Sequence, residues 1–172
     1  MDNRTILGID PGTSHMGIAV IRSGDLAATG VHTLRNGERP HDVIGQAKRI
    51  VLRYIRDFSP AVVAIEKPLR MKTKRAALMS VIVQELHARS RELGLEVEEI
   101  WPHDVRDRVT GDPYAKKIEV ARVIVEKSYP SLRPRMPVVP KRAVLGFSPR
   151  DKYWLHMFDA VAVALAAYPY LL

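Results

Sequence analysis

Three acidic residues stand where neither a core strand nor a buried helix would ordinarily keep them: Asp10, Glu66 and Asp159. Asp10 ends the apolar run Thr5-Ile6-Leu7-Gly8-Ile9, and Glu66 ends the run Ala61-Val62-Val63-Ala64-Ile65. Asp159 interrupts Met157-Phe158 and Ala160-Val161-Ala162-Val163-Ala164, where a charged and unpaired carboxylate would be costly. Any one of them taken alone could be a capped turn or half of an ion pair. Gathered at one sheet edge they would repel, because two unit charges about 4 Å apart cost on the order of 4 kcal/mol at an effective dielectric of about 20. Such groups remain anions together only around a cation; otherwise one takes up a proton. Hard oxygen ligands favour Mg²⁺ or Mn²⁺, and a pair of such ions suits phosphodiester hydrolysis.

His156 lies three residues before Asp159, so the two project from one helix face. Its spacing fits a metal ligand, a proton carrier or a contact to a scissile phosphate, and equally a core histidine with a satisfied hydrogen bond.

The elements that must position these groups read as follows. Residues 5–9, 16–22 and about 26–34 are three strands joined by the turns Asp10-Pro11-Gly12 and Ser23-Gly24-Asp25, an antiparallel meander. A helix capped by Asp42 carries Val43, Ile44, Ala47, Ile50, Val51, Tyr54, Ile55 and Phe58 at helical spacing and stops at Ser59-Pro60. Residues 61–66 are a strand buried on both faces. A helix over about 74–93 carries Val81, Ile82 and Val83 in succession, so it needs burial partners on more than one side. The sheet is one, and a second subunit or a wrapping loop is the other. Residues 95–101 alternate like an edge strand, followed by helices at about 103–109 and 114–128. Residues 130–151 hold five prolines and read as an extended insertion, before a last buried helix at about 152–167. This order predicts an α/β fold, a mixed five-stranded sheet with helices on both faces.

The 172 residues suit a single domain. No apolar run approaches the roughly 20 residues that span a bilayer, and a strand begins too early for a signal peptide. The chain has no cysteine, which excludes disulfides and thiolate metal sites and fits a cytoplasmic setting. The net charge of +8 fits a polyanionic partner. Lys67, Arg70, Lys72, Lys74 and Arg75 follow directly on Glu66, while Arg133, Arg135, Lys141, Arg142, Arg150 and Lys152 surround the proline-rich stretch. Either run alone could be a solvated face, but two flanking one acidic site suggest phosphate clamps. Trp101 and Trp154 could stack on bases, although core or interface positions suit them better.

These motifs resemble a known family, the RuvC-type Holliday-junction resolvases of the RNase H-like superfamily. Gly8-Ile9-Asp10-Pro11-Gly12-Thr13 with Gly17-Ile18-Ala19-Val20 is similar to their opening hairpin, and Val63-Ala64-Ile65-Glu66 to their second acidic strand. Pro102-His103-Asp104-Val105-Arg106 followed by Val109-Thr110-Gly111, Ala115, Lys117 and Val120 resembles the segment before their third acidic motif. Asp159-Ala160-Val161-Ala162-Val163-Ala164 resembles the closing helix. Actin-like ATPases share the hairpin but require a second domain.

The resemblance implies that Asp10, Glu66 and Asp159 carry two divalent ions, Mg²⁺ or Mn²⁺. His156 then stands at a position held by a carboxylate or a histidine, and Lys117 near the reacting phosphate. It implies a homodimer acting on four-way or branched DNA in recombination and repair, with a branch-migration helicase as a possible partner and Arg106 among the DNA contacts. A nuclease of structured RNA and a non-catalytic junction-binding module are the alternatives. Leu69 replaces an aromatic that resolvases often carry, and the glycine-containing pattern usual in the helix that follows is missing.

Overall fold

A computed structural model describes residues 4–35, 39–69, 72–138 and 146–168. Five strands form one sheet in the order β3-β2-β1-β4-β5: β1 (Thr5–Asp10), β2 (His15–Arg22), β3 (Asp25–Thr33), β4 (Val62–Glu66) and β5 (Glu96–Ile100). The first three are the antiparallel meander, and β4 and β5 run parallel to β1. Helices cover both faces, α1 (Pro40–Phe58) and α2 (Lys74–Glu92) on one, α3 (Pro102–Thr110), α4 (Lys117–Val123) and α5 (Pro149–Ala166) on the other.

The period of two along each strand sorts the core into two layers. Leu7, Ile9, Val63 and Ile65 pack toward α1 and α2, whereas Ile6, Val62 and Ala64 pack toward α5. Asp10 continues the α5-facing series of β1, and Glu66 that of β4. The parallel register pairs Gly8 with Ala64 and Ile9 with Ile65, so the next residues, the two acids, reach the sheet edge at one level on one face. Two carboxylates thus meet because of strand register alone.

Helix α5 lies unusually close to this face. A Cβ added at Gly8 would come within 2.4 Å of the Ala160 carbonyl and 2.6 Å of the Ala164 Cβ. One added at Gly17, the cross-strand partner of Asp10, would sit 1.9 Å from the His156 carbonyl. The helix starts at Ser148, whose hydroxyl accepts from the Asp151 N–H, and Pro149 occupies its first turn. Its small residues Ala160 and Ala164 therefore ride over glycines, and His156 and Asp159 arrive beside Asp10.

Several local readings need correction. Helix α1 begins at Pro40 after an uncapped Arg39, so Asp42 lies in the first turn and not at the cap; proline is pre-set for that position. The helix expected over 114–128 starts at Lys117 and widens into a π-helical turn at Ile124–Ser128. The proline-rich stretch is not extended throughout, because Pro130–Arg135 form a 3₁₀ helix whose Leu132 is buried. Prolines there set φ for tight turns, and a buried leucine anchors them. Ile82 and Val83 of α2 are both buried, whereas Val81 is 41% exposed. The half-buried Trp154 packs against the core, and Trp101 is also half-buried.

The glycine contacts carry a direct expectation. Gly17→Ala should destabilise the fold by about 3 kcal/mol, since backbone must move to admit the methyl group. Gly30→Ala in β3, where nothing lies within 4 Å of the new carbon, should change stability little. Chemical denaturation of both variants tests this, and equal stability would refute the close-packing account.

Candidate active site

The three acids do converge. Asp10 and Glu66 sit close enough for each carboxyl to shift the titration of the other, and the Asp159 carboxylate adds its field to both. Asp10, His156 and Asp159 offer ligand atoms that all lie within 4.8 Å of one another. His156 Nδ1 is 2.6 Å from Asp10 Oδ2. Lys117, at the first turn of α4, forms an ion pair with Asp159 through its Nζ. The five residues singled out in the sequence, Asp10, Glu66, Lys117, His156 and Asp159, thus lie together at one sheet edge.

Burial first, and then the Asp159 charge, push Asp10 up to about 8. Burial and the charges of Asp10 and Asp159 push Glu66 up to about 9. Burial opposes charge on Lys117 as well, but Asp159 and Asp10 outweigh it and hold the ammonium far above its usual range. His156 moves down, chiefly by burial with Lys117 and Arg75 adding to it against the pull of Asp159, so its ring favours the neutral form that binds cations. At neutral pH the cation-free site thus keeps protons that a divalent ion would displace. With three carboxyl groups and a neutral imidazole within a small radius, the residues present fit a hard divalent cation.

Asp10 and Glu66 open on a cleft of about 560 Å³ between β4, α2 and α3. Lys67, Arg75, Arg106 and Lys117 supply positive charge to its walls, and Pro68, Leu69, Met79 and Pro102 supply an apolar side. Lys67 lies over the Trp101 ring, 4.9 Å from its centroid. Lys72 and Lys74 are exposed at the entry to α2 and lie outside this cleft, bordering the groove next to it. Arg70, Lys141 and Arg142 fall outside the described residues. Arg135 packs over the Trp154 ring, 5.3 Å from its centroid.

One contact escaped the sequence reading. His15 opens β2 and stacks on His156, with ring centroids 5.7 Å apart and planes 19° from parallel. Its signal was available in the alternation of His15, Gly17, Ala19 and Ile21 along β2, but only once the α5-facing side was known. Among the described residues no helix is long and apolar enough to cross a membrane.

Comparison with known proteins agrees with this architecture. The family described as crossover junction endodeoxyribonuclease RuvC matches residues 6–128. RuvC of Chlorobium phaeobacteroides is 33% identical over 124 residues, covering 69% of this chain and 66% of its own length. The structure of Thermus thermophilus RuvC superposes with a TM-score of 0.72 at 23% identity, covering 96% of this chain and 94% of that one. A second structure of that protein, in complex with a Holliday junction substrate, gives 0.71 at 22% identity, covering 97% and 94%. These solved structures share the RNase H-like fold seen here. With its family match running from β1 through the π-helical turn, the chain belongs to the RuvC family of crossover junction endodeoxyribonucleases.

Proposed function

We propose that this protein is a divalent-metal-dependent endonuclease that cuts four-way DNA junctions, acting as a homodimer in the cytoplasm. The observation that carries the reading is the convergence of Asp10, Glu66, Asp159 and His156 at one sheet edge, with Asp10 and Glu66 lining a cationic cleft, in a chain of this family. Asp10, Glu66, His156 and Asp159 would hold two ions, Mg²⁺ or Mn²⁺. When bound, such ions neutralise phosphate charge and supply an activated water for in-line attack.

The chain's own groups do the rest. Asp10 and Glu66 release the protons that burial makes them keep. Lys117, fixed by Asp159, presents a cation to the negative charge that builds on the phosphoryl oxygens. Lys67, Arg75 and Arg106 hold backbone phosphates along the cleft, while Lys72 and Lys74 border the adjoining groove. The exposed Val81 on α2, next to the buried Ile82 and Val83, supports pairing with a second copy at that helix. Because His156 adds a neutral nitrogen where a further carboxylate would add charge, Mn²⁺ is the favoured ion.

Cleavage of a labelled four-way junction, beside duplex DNA and structured RNA, tests the proposal. Paired symmetric nicks in the junction alone are expected, faster with Mn²⁺ than Mg²⁺ and abolished in Asp10→Asn. Binding without cleavage would leave a junction-binding module, and RNA cleavage would move the activity to a different substrate.

Stability should also follow pH in a defined direction. Asp10 and Glu66 bind protons more tightly folded than unfolded, so their contribution is full below the ordinary carboxylate range and is lost as pH rises toward about 8 and about 9. The histidines whose values burial lowers act oppositely, but they titrate below about pH 7. Thermal unfolding in EDTA should therefore show Tm falling between about pH 7 and pH 9. Asp10→Asn or added Mn²⁺ should flatten that slope, and a flat wild-type profile in EDTA would contradict the charge assignment.

A further inference from the structure

We infer that His15 is a positioning residue for the active site, acting through His156. The inference rests on the proposed cation site and concerns a residue that takes no part in the contacts described for it.

His156 has one strong polar contact, Nδ1 to Asp10 Oδ2 at 2.6 Å, and its ring plane must stay fixed for that nitrogen and Asp159 to converge. A histidine on a helix can swing about its terminal torsion, which is broad and roughly two-fold. The polar contact alone sets one point of the ring. The His15 ring supplies the missing plane, stacked at 5.7 Å and 19° on the side of β2. His15 is itself held edge-on by Tyr153 at 5.7 Å and 89°. The Tyr153 hydroxyl in turn donates to the Val31 carbonyl at 2.8 Å, which anchors the arrangement to β3.

The result is a continuous brace from β3 through Tyr153 and His15 to His156 and Asp10. Its two ends, Val31 and Asp10, sit on the sheet, while Tyr153 and His156 of α5 contact the His15 ring of β2, and the same close approach over Gly17 that brings His156 in also brings it against His15. Stacking needs a flat ring at position 15 and not the chemistry of its nitrogens. A ring orienter of this kind behaves as the outer-shell partners of metal-binding histidines do, setting geometry and not ligation.

The test is Mn²⁺ affinity of the full chain without DNA, measured by titration calorimetry and by the loss of free-ion EPR signal. His15→Ala should weaken binding about three- to tenfold. His15→Phe, which keeps the stack, should bind within about twofold of the wild type. In a His156→Ala background the His15→Ala change should have no further effect, because its action passes through that ring. Loss of affinity in His15→Phe equal to that in His15→Ala would overturn the proposal, as would an undiminished effect when His156 is absent. Unchanged affinity in His15→Ala would overturn it while leaving the nuclease reading intact, whereas a wild type that binds no Mn²⁺ would remove the cation site itself and the inference with it.

Discussion

The structure depends on how closely α5 can lie on the β1–β2 hairpin. Gly8 and Gly17 leave no side chain on that face, and Ala160 and Ala164 offer only methyl groups in return. Helix and sheet consequently approach at backbone distance, nearer than an ordinary core layer permits. Every contact between α5 and the acids follows from this. A larger residue at either glycine would lift the helix and separate Asp159 and His156 from Asp10, even with all the reacting groups still present.

That proximity sets an electrostatic problem. Strand register brings Asp10 and Glu66 together, and the helix adds Asp159, so three carboxyl groups share a largely dehydrated edge. Repulsion of this kind is destabilising unless protons or cations relieve it. Lys117 relieves part of it through Asp159, and protons retained by the buried Asp10 and Glu66 relieve part. What remains is a site whose strain a divalent cation removes. The residues that would bind such a cation are thus held in a less favourable state without one.

The cleft outside the acids has two characters. Lys67, Arg75 and Arg106 give it positive charge, and Pro68, Leu69, Met79 and Pro102 give it an apolar wall. Lys67 joins the two, because it directly follows Glu66 and its ammonium rests over Trp101. The cation–π contact restrains a flexible side chain beside the reacting centre without neutralising it.

The sequence by itself determined the strands, their alternation and the acids at their ends, because these are local patterns: apolar runs of period two stopped by a charged residue and a turn. The meander, the buried β4, the edge strand β5 and the acids that meet at their ends were legible on that basis, whereas the gathering of His156 and Lys117 beside them was expected from family resemblance. Helix ends were less legible where proline and capping competed, as at Pro40 and Asp42, and a 3₁₀ helix hides easily among prolines whose loop-like composition it shares. Only the tertiary structure decided which face of each strand meets α5, since period two fixes that two faces exist but not which one is covered by which helix. It therefore alone showed why Gly8 and Gly17 are required, that Val81 is exposed beside buried Ile82 and Val83, and that His15 stacks on His156 across 141 residues of chain. Contacts of that separation depend on packing between elements, and no spacing along the chain encodes them.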